Sequence, residues 1–247
     1  MATPEPPSIW LRPEPGARRA AYTREQIAQT AIEIADAEGF GAVSMRRVAA
    51  ELGAGTMTLY HYVRNKDELI ALIDDAIMGE LIIPEDEIPE GWRDGLAEIA
   101  RRTRDAFLRH PWSFEIPQGE EGGPNGTKHF EQSLAIVAGT GLDRMEQLEI
   151  VALVDDYVFG FALRTNTVRA SAGPDPAALA DEWGGAIRAR IDSLPDDEFP
   201  HLKAFFGAGD PRDVLVELFE NVIGETRFER GLELVLDGIE RRIERAQ

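Results

Sequence analysis

The chemistry in this chain is densest between Ser44 and Lys66. Thr56, Met57, Thr58, Tyr60 and His61 place hydroxyls, a thioether, a phenol ring and an imidazole in one short run, and none of them is acidic. Such groups suit the edges of bases. Hydroxyls and imidazole exchange hydrogen bonds there, and apolar atoms meet the thymine methyl. Tyr62, Asn65 and Lys66 follow at the exit of the run, where a side chain reaches a phosphate, and Arg46 stands on the bracing side. Phosphate contacts position a protein on a duplex, whereas base contacts specify the sequence. The chain carries no nucleophile with a placed base, no glycine loop cradling a phosphate ahead of a helix, and no zinc-type spacing of ligands. The residues therefore point to binding rather than catalysis, with no catalytic residue, metal or cofactor expected.

Two short helices joined by a tight turn would hold that run in place. Ser44 caps the first, and Val48, Ala49 and Leu52 form its apolar face. Gly53 follows where the chain turns sharply and positive φ is easiest for glycine. Thr56 starts the second helix, with Leu59 and Val63 inward at i, i+4 and the segment Thr56–Tyr62 expected as an exposed rod. Upstream, Thr23–Gly39 opens with Thr23 and Gln26 at capping-box spacing and carries Ile27, Ala31, Ile34 and Ala35 on one stripe. One helix braces and the next enters a major groove: this is the logic of a helix-turn-helix.

Residues Thr58–Leu69, TLYHYVRNKDEL, with Arg46–Gly53 and the Glu38-Gly39-Phe40 helix ending, resemble the TetR family of bacterial transcriptional regulators. The resemblance is strong over the stretch from about residue 20 to about residue 70, and its motif is long and ordered. Further on, HPWSFEIPQGEEGGPNG, with His110-Pro111-Trp112 and Gly123-Pro124-Asn125, is similar in outline to the C-terminal domain of the subgroup that includes tetracycline repressors. The resemblance implies a reader of double-stranded operator DNA, a helical C-terminal pocket for a small effector, and a homodimer through two C-terminal helices. Those two are assigned to the stretches near 145–168 and 228–245.

Composition fits this reading with one tension. The chain has 247 residues, 43% hydrophobic, with no cysteine and a net charge of −19. Residues 1–70 hold 8 Lys+Arg and 9 Asp+Glu, a balance of −1, so the remaining −18 lies in residues 71–247. Nonspecific DNA affinity should therefore be modest and strongly salt-dependent. No apolar run approaches the ~20 residues that span a bilayer, and a signal peptide is not expected, so a cytoplasmic protein without membrane contact is the expectation.

Along the chain the apolar periodicity is helical throughout, which predicts an all-α fold. Residues 1–20 read as a flexible arm with Arg12, Arg18 and Arg19, residues 21–66 as the DNA-binding domain, and residues 67–247 as an effector and dimerisation domain. Helices are expected over Lys66–Leu81, Trp92–His110, Lys128–Gly139, Met145–Val168, Asp175–Leu194, His201–Phe206 and Phe228–Arg245. The segment 111–126 is expected to be a glycine-rich loop, and Asp213–Glu220 is short and of open type. Lys66–Leu81 should act as a lever between the domains.

Pockets are mostly apolar with a few converging polar groups. Polar residues set among apolar helical positions are Arg104, His110, Asn125, His129, Asp155, Asp156, Arg164 and Asn166, with aromatic neighbours Phe107, Trp112, Phe114, Phe130, Tyr157, Phe161 and Trp183. Arg104 or a ligand could partner the unusual Asp155–Asp156 pair. The same residues also serve as core or dimer-seam groups, and both uses stay open at this point. The leading expectation is a repressor released from a palindromic operator by an apolar or aromatic effector. An activator or ligand-independent DNA binder is the alternative, and an enzyme a remote one.

Overall fold

Thr23 accepts a hydrogen bond from Gln26 N (3.1 Å) while Gln26 Oε1 accepts one from Thr23 N (2.9 Å), so the expected capping box opens α1, Arg24–Glu38. Gly39, at φ 85°, ends it. This computed structural model describes residues 8–14, 22–117, 122–172, 176–195, 197–207 and 209–246. Ser44 caps α2, Met45–Glu51, through Arg47 N. Gly53 turns the chain at φ 66° into α3, Thr56–Leu59. Asn65 then caps α4, Lys66–Leu81, through Glu68 N at 2.8 Å. The helices that follow are α5 (Trp92–Arg109), α6 (Pro124–Ala138), α7 (Arg144–Ala172), α8 (Pro176–Asp192), α9 (Pro200–Phe206), α10 (Pro211–Ile223) and α11 (Glu225–Ala246). The described residues are all-helical apart from turns and connections.

Two apolar cores organise these helices. The first joins α1 to α4 through Ile27, Ala31, Val48, Leu59, Leu69 and Ile73, and it also takes in Trp112 and Ile116 from beyond α5. The second joins α5, α6, α7 and α11 around Leu96, Val137, Val154, Val158, Phe228 and Leu232. Full burial of one such side chain is worth about 1.5–3 kcal/mol. Helix α4 lies in the first core through Ile73 and Ile77 and packs on α5 and α6 as well. Helix α7 carries apolar residues on several faces, and within the chain only one of them is covered. Val154, Val158 and Ala162 are buried, whereas Met145, Leu148, Leu153 and Leu163 are exposed.

Several expectations need correction. The reader is shorter than a rod from Thr56 to Tyr62: regular helix ends at Leu59, and Tyr60–Tyr62 form a turn. That turn keeps helical sense, with Tyr62 N and Val63 N both donating to Leu59 O. Leu59, Tyr62 and Val63 thus face inward together at i, i+3 and i+4. Tyr62 is buried at 3% exposure with its hydroxyl accepting from Tyr22 N, so it is a core residue and not a phosphate contact. The arm is also not free over residues 8–14. Ile9 is buried in the first core, Arg12 pairs with Glu68 at 2.5 Å, and Arg24 Nη1 donates to Ile9 O and Arg12 O. Arg18 and Arg19 lie outside the described residues, as does Asp175.

The expected loop over 111–126 contains a 3₁₀ turn, Pro111–Glu115, and the start of α6. Pro124 sits in the first turn of α6, where its missing N–H is not needed, so the helix begins earlier than Lys128. The open segment near 213–220 belongs to a full helix, α10, because α8 covers its apolar side.

Candidate nucleic-acid interface and effector region

The reading surface is built by what its neighbours bury. Leu59 has no exposed surface, which fixes the rotation of α3 about its axis. Met57 is then 74% and Tyr60 43% exposed, His61 lies outward, and Thr56 and Thr58 are half-buried at the base. The hydroxyl of Tyr22 donates to Leu52 O at 2.9 Å and ties the turn between α2 and α3 to the start of α1.

Cations stand on either side of this surface. Arg46, Arg64 and Lys66 are exposed, and none forms an ion pair within the described residues. Lys66 Nζ lies 6.0 Å from the ring centre of Phe40, and that weak contact leaves the ammonium in solvent. Arg64 was not singled out by the sequence reading. Its signal is there: a basic residue directly after the buried Val63 must point away from the core. Arg47 is different, because Glu38 and Glu51 hold its guanidinium at 2.6 Å each. The hydrogen bond from Arg47 keeps the Glu38 carboxyl below its ordinary range.

The structure divides the sequence-predicted effector residues among separate places. Phe107 and Phe114 do come together, with ring centres 5.0 Å apart. Phe159, which the sequence reading did not select, joins them at 4.6 Å from Phe107. Asn166 donates to Phe107 O at 3.0 Å beside this aromatic cluster. His110 and Trp112 instead bond to the first domain: His110 Nδ1 and Trp112 Nε1 each lie 2.7 Å from Asp36 Oδ1. Asn125 donates its backbone N–H to Asp75 Oδ1 at 2.9 Å, so a side chain of α4 caps α6.

Arg104, Tyr157 and Phe161 surround Phe228 of α11 as packing partners. The Arg104 guanidinium lies 4.5 Å from the Phe228 ring centre, and Phe161 lies 5.0 Å from it. Tyr157 donates its hydroxyl hydrogen to Phe228 O at 2.7 Å. Arg104 pairs with Glu229 and Asp105, not with the Asp155–Asp156 pair. Phe130, Asp156 and Arg164 are exposed on outer helix faces and line no interior.

Four buried polar atoms lack a hydrogen-bond partner near the aromatic cluster's helices: Thr103 Oγ1, Ser113 Oγ, His129 Nδ1 and Thr165 Oγ1. They lie on α5, the Pro111–Glu115 turn, α6 and α7; α5 packs on each of the other three, and the turn also touches α7. Burial alone lowers the pKa of His129, so the ring stays neutral there. Three of the four are short hydroxyls, which carry no period or spacing that marks them in a sequence.

A buried-footed single-turn reader on a helical bundle defines a class: an all-α regulator that grips DNA with one domain and carries a larger helical domain behind it. Comparison with known proteins gives the family. Residues 27–73 match the profile of bacterial regulatory proteins of the tetR family, and residues 84–243 match the tetracyclin repressor-like C-terminal domain. The HTH-type transcriptional repressor DrrR1 of Streptomyces coeruleorubidus is 34% identical over 93% of this chain and 81% of its own. Apo ActR from Streptomyces coelicolor superposes with a TM-score of 0.69 at 31% identity, covering 92% of this chain and 99% of that one. ActR in complex with actinorhodin gives 0.67 at 30% identity, over 91% and 99% of the two chains. This chain belongs to the TetR family; it is a DNA-binding regulator and not an enzyme. No helix among the described residues is long and apolar enough to cross a membrane.

Proposed function

We propose that the protein is a dimeric repressor that leaves its operator when an aromatic metabolite enters the second domain. The observation that carries the DNA half is the exposed set Met57, Tyr60 and His61, held outward by the fully buried Leu59 and flanked by Arg46, Arg64 and Lys66. Thr56 and Thr58 complete the base-reading set. The repressor sense is supported by the name of the Streptomyces coeruleorubidus relative. Two copies reading half-sites ~34 Å apart would double the contacts.

The dimer reading rests on uncovered apolar surface. Leu148, Leu153 and Leu163 on α7 and Leu234 on α11 are exposed in one chain, and a second copy would cover them. The effector reading rests on the aromatic cluster Phe107, Phe114 and Phe159 and the unpartnered Thr103, Ser113, His129 and Thr165. Leaving such a group unsatisfied costs about 1–3 kcal/mol, which a ligand with matching polar atoms would recover. ActR has been solved with actinorhodin, so an aromatic compound of that kind is the class to test first.

Gel mobility shift with the DNA upstream of the protein's own gene tests the proposal. Tyr60→Ala should weaken the shift, and actinorhodin or a similar polycycle should abolish it for the unmodified protein. Undiminished binding by Tyr60→Ala would remove the reader assignment. A reporter strain lacking the protein should show raised expression; lowered expression would favour the activator. Sedimentation as a monomer at micromolar concentration would remove the dimer.

A further inference from the structure

Among the described residues the two domains are joined by a helix and by a turn. Helix α4 is the covalent link. The second link is the Pro111–Glu115 turn at the end of α5, which docks on the DNA-binding domain directly. Trp112 stacks on Phe40 with ring centres 5.8 Å apart and planes 2° from parallel, and its indole N–H donates to Asp36 Oδ1. His110, 3% exposed, lies between the domains with Nδ1 2.7 Å from Asp36 Oδ1 and Nε2 3.2 Å from Glu80 Oε1.

We propose that His110, bridging Asp36 of α1 and Glu80 of α4, is a positioning residue that holds the DNA-binding domain in its reading orientation and makes operator affinity fall as pH rises. The argument is first one of geometry. An ionised carboxylate only accepts hydrogen bonds, and both ring nitrogens face one. Each nitrogen must therefore carry a proton for both contacts to be favourable. A neutral imidazole satisfies one and turns a lone pair toward the other.

The surroundings agree. The charged groups bonded in this cluster are Asp36 from α1, Glu80 from α4 and, on the far side of Glu80, Arg109 from α5. Burial opposes the imidazolium, but Glu80 and Asp36 together outweigh it and raise the pKa of His110. The hydrogen bond from His110 in turn holds the Glu80 carboxyl below its ordinary range. A group raised in the folded state stabilises it fully below its unfolded value, 6.5, and loses that contribution as pH climbs through the folded value. Phe107 of the aromatic cluster lies one helical turn before His110 on α5, so a ligand that displaces this stretch strains the same clamp.

This inference rests on the operator-binding reading above, so the test reads two quantities on the full-length protein. The first is the ¹³C-edited NMR titration of the His110 ring, together with the thermal midpoint from pH 6 to 9. The second is affinity for a labelled duplex from the upstream region of the gene over the same range. The variants are His110→Gln, which can bond but not charge, and Asp36→Asn, which keeps the shape and removes one charge. Exposed His61 remains in every variant, so whatever it contributes to DNA affinity is common to all of them.

Duplex affinity of the unmodified protein should fall on the order of tenfold across the His110 titration, the size of one charge-assisted bond. His110→Gln should lose that pH-dependent part, and Asp36→Asn should move it to lower pH. Identical affinity profiles for the unmodified protein and His110→Gln would overturn the proposal, as would a His110 ring titrating at or below the ordinary histidine value. A changed thermal profile with unchanged affinity profiles would make the clamp merely structural and overturn it as well. No duplex binding by any form at pH 6 would instead overturn the operator reading, and with it the positioning role. A raised ring titration in that case would still distinguish the two failures.

Discussion

Replacing Arg64 and Lys66 together by alanine should change how DNA affinity depends on salt far more than it changes stability. Both side chains are exposed and neither forms an ion pair within the described residues. Surface changes of this kind stay within about 0.5 kcal/mol. On DNA the position is different. Two cations per chain become four in the proposed dimer, and each phosphate neutralised adds ~0.9 to the slope of log affinity against log salt. Four lost contacts lower the slope by ~3.6, so over a fourfold rise in salt the unmodified protein loses ~150-fold more affinity than the variant. Fluorescence anisotropy with a labelled duplex between about 50 and 200 mM salt measures this, in the salt range where phosphate contacts are usually resolved. Circular dichroism confirms folding. Equal slopes for a folded variant would show that these cations do not face the backbone and would refute the placement of the reader.

Four further outcomes follow from the packing. Tyr62→Phe should lower stability by about 0.5–1.5 kcal/mol, the worth of its bond to Tyr22 N, with the salt slope unchanged; a reduced slope would restore Tyr62 as a phosphate contact. Phe228→Ala, at the fully buried centre of Tyr157, Phe161 and Arg104, should cost about 3–5 kcal/mol in urea unfolding. Gly123→Ala places a methyl on the Asp75 carboxylate and should lower the thermal midpoint, while Gly122→Ala, with open space around it, should not; equal effects would refute the close approach. Burial, then the neighbouring Asp156, raises the Asp155 carboxyl from the ordinary 3.8 to about 6, so ionising it penalises the fold increasingly as pH climbs from the lower value to the upper one. Asp155→Asn should therefore gain midpoint temperature over the unmodified protein at pH 8, with the gain shrinking as pH falls toward the ordinary carboxyl value of 3.8.

Local signals were sufficient wherever one stretch of chain decides its own shape. The Thr23–Gln26 capping box and the glycines at 39 and 53 mark helix ends through bonds and φ angles made by near neighbours, and these ends came out as read. The inward stripes of α1, α4 and α5 were equally legible, because a 3.6-residue period sorts apolar from polar residues without knowing the partner helix.

Direction and partnership were not legible in that way. Tyr62 is amphipathic, and nothing beside it in sequence says whether the hydroxyl meets a phosphate or the backbone of Tyr22. Only packing of α3 against the start of α1 decides it. His110 and Trp112 sit next to a proline in a polar stretch, and their partner Asp36 is on another domain, so no periodicity connects them. The partner of Arg104, left open between the Asp155–Asp156 pair and other groups, is hidden for the same reason: Glu229 is far away in sequence and comes near only when α11 lies across α5. What this chain determined by itself was where helices begin, end and turn their apolar sides. Which residue meets which across those sides was left to the tertiary fold, because a charge or a hydroxyl takes its role from the group that packing brings within bonding distance.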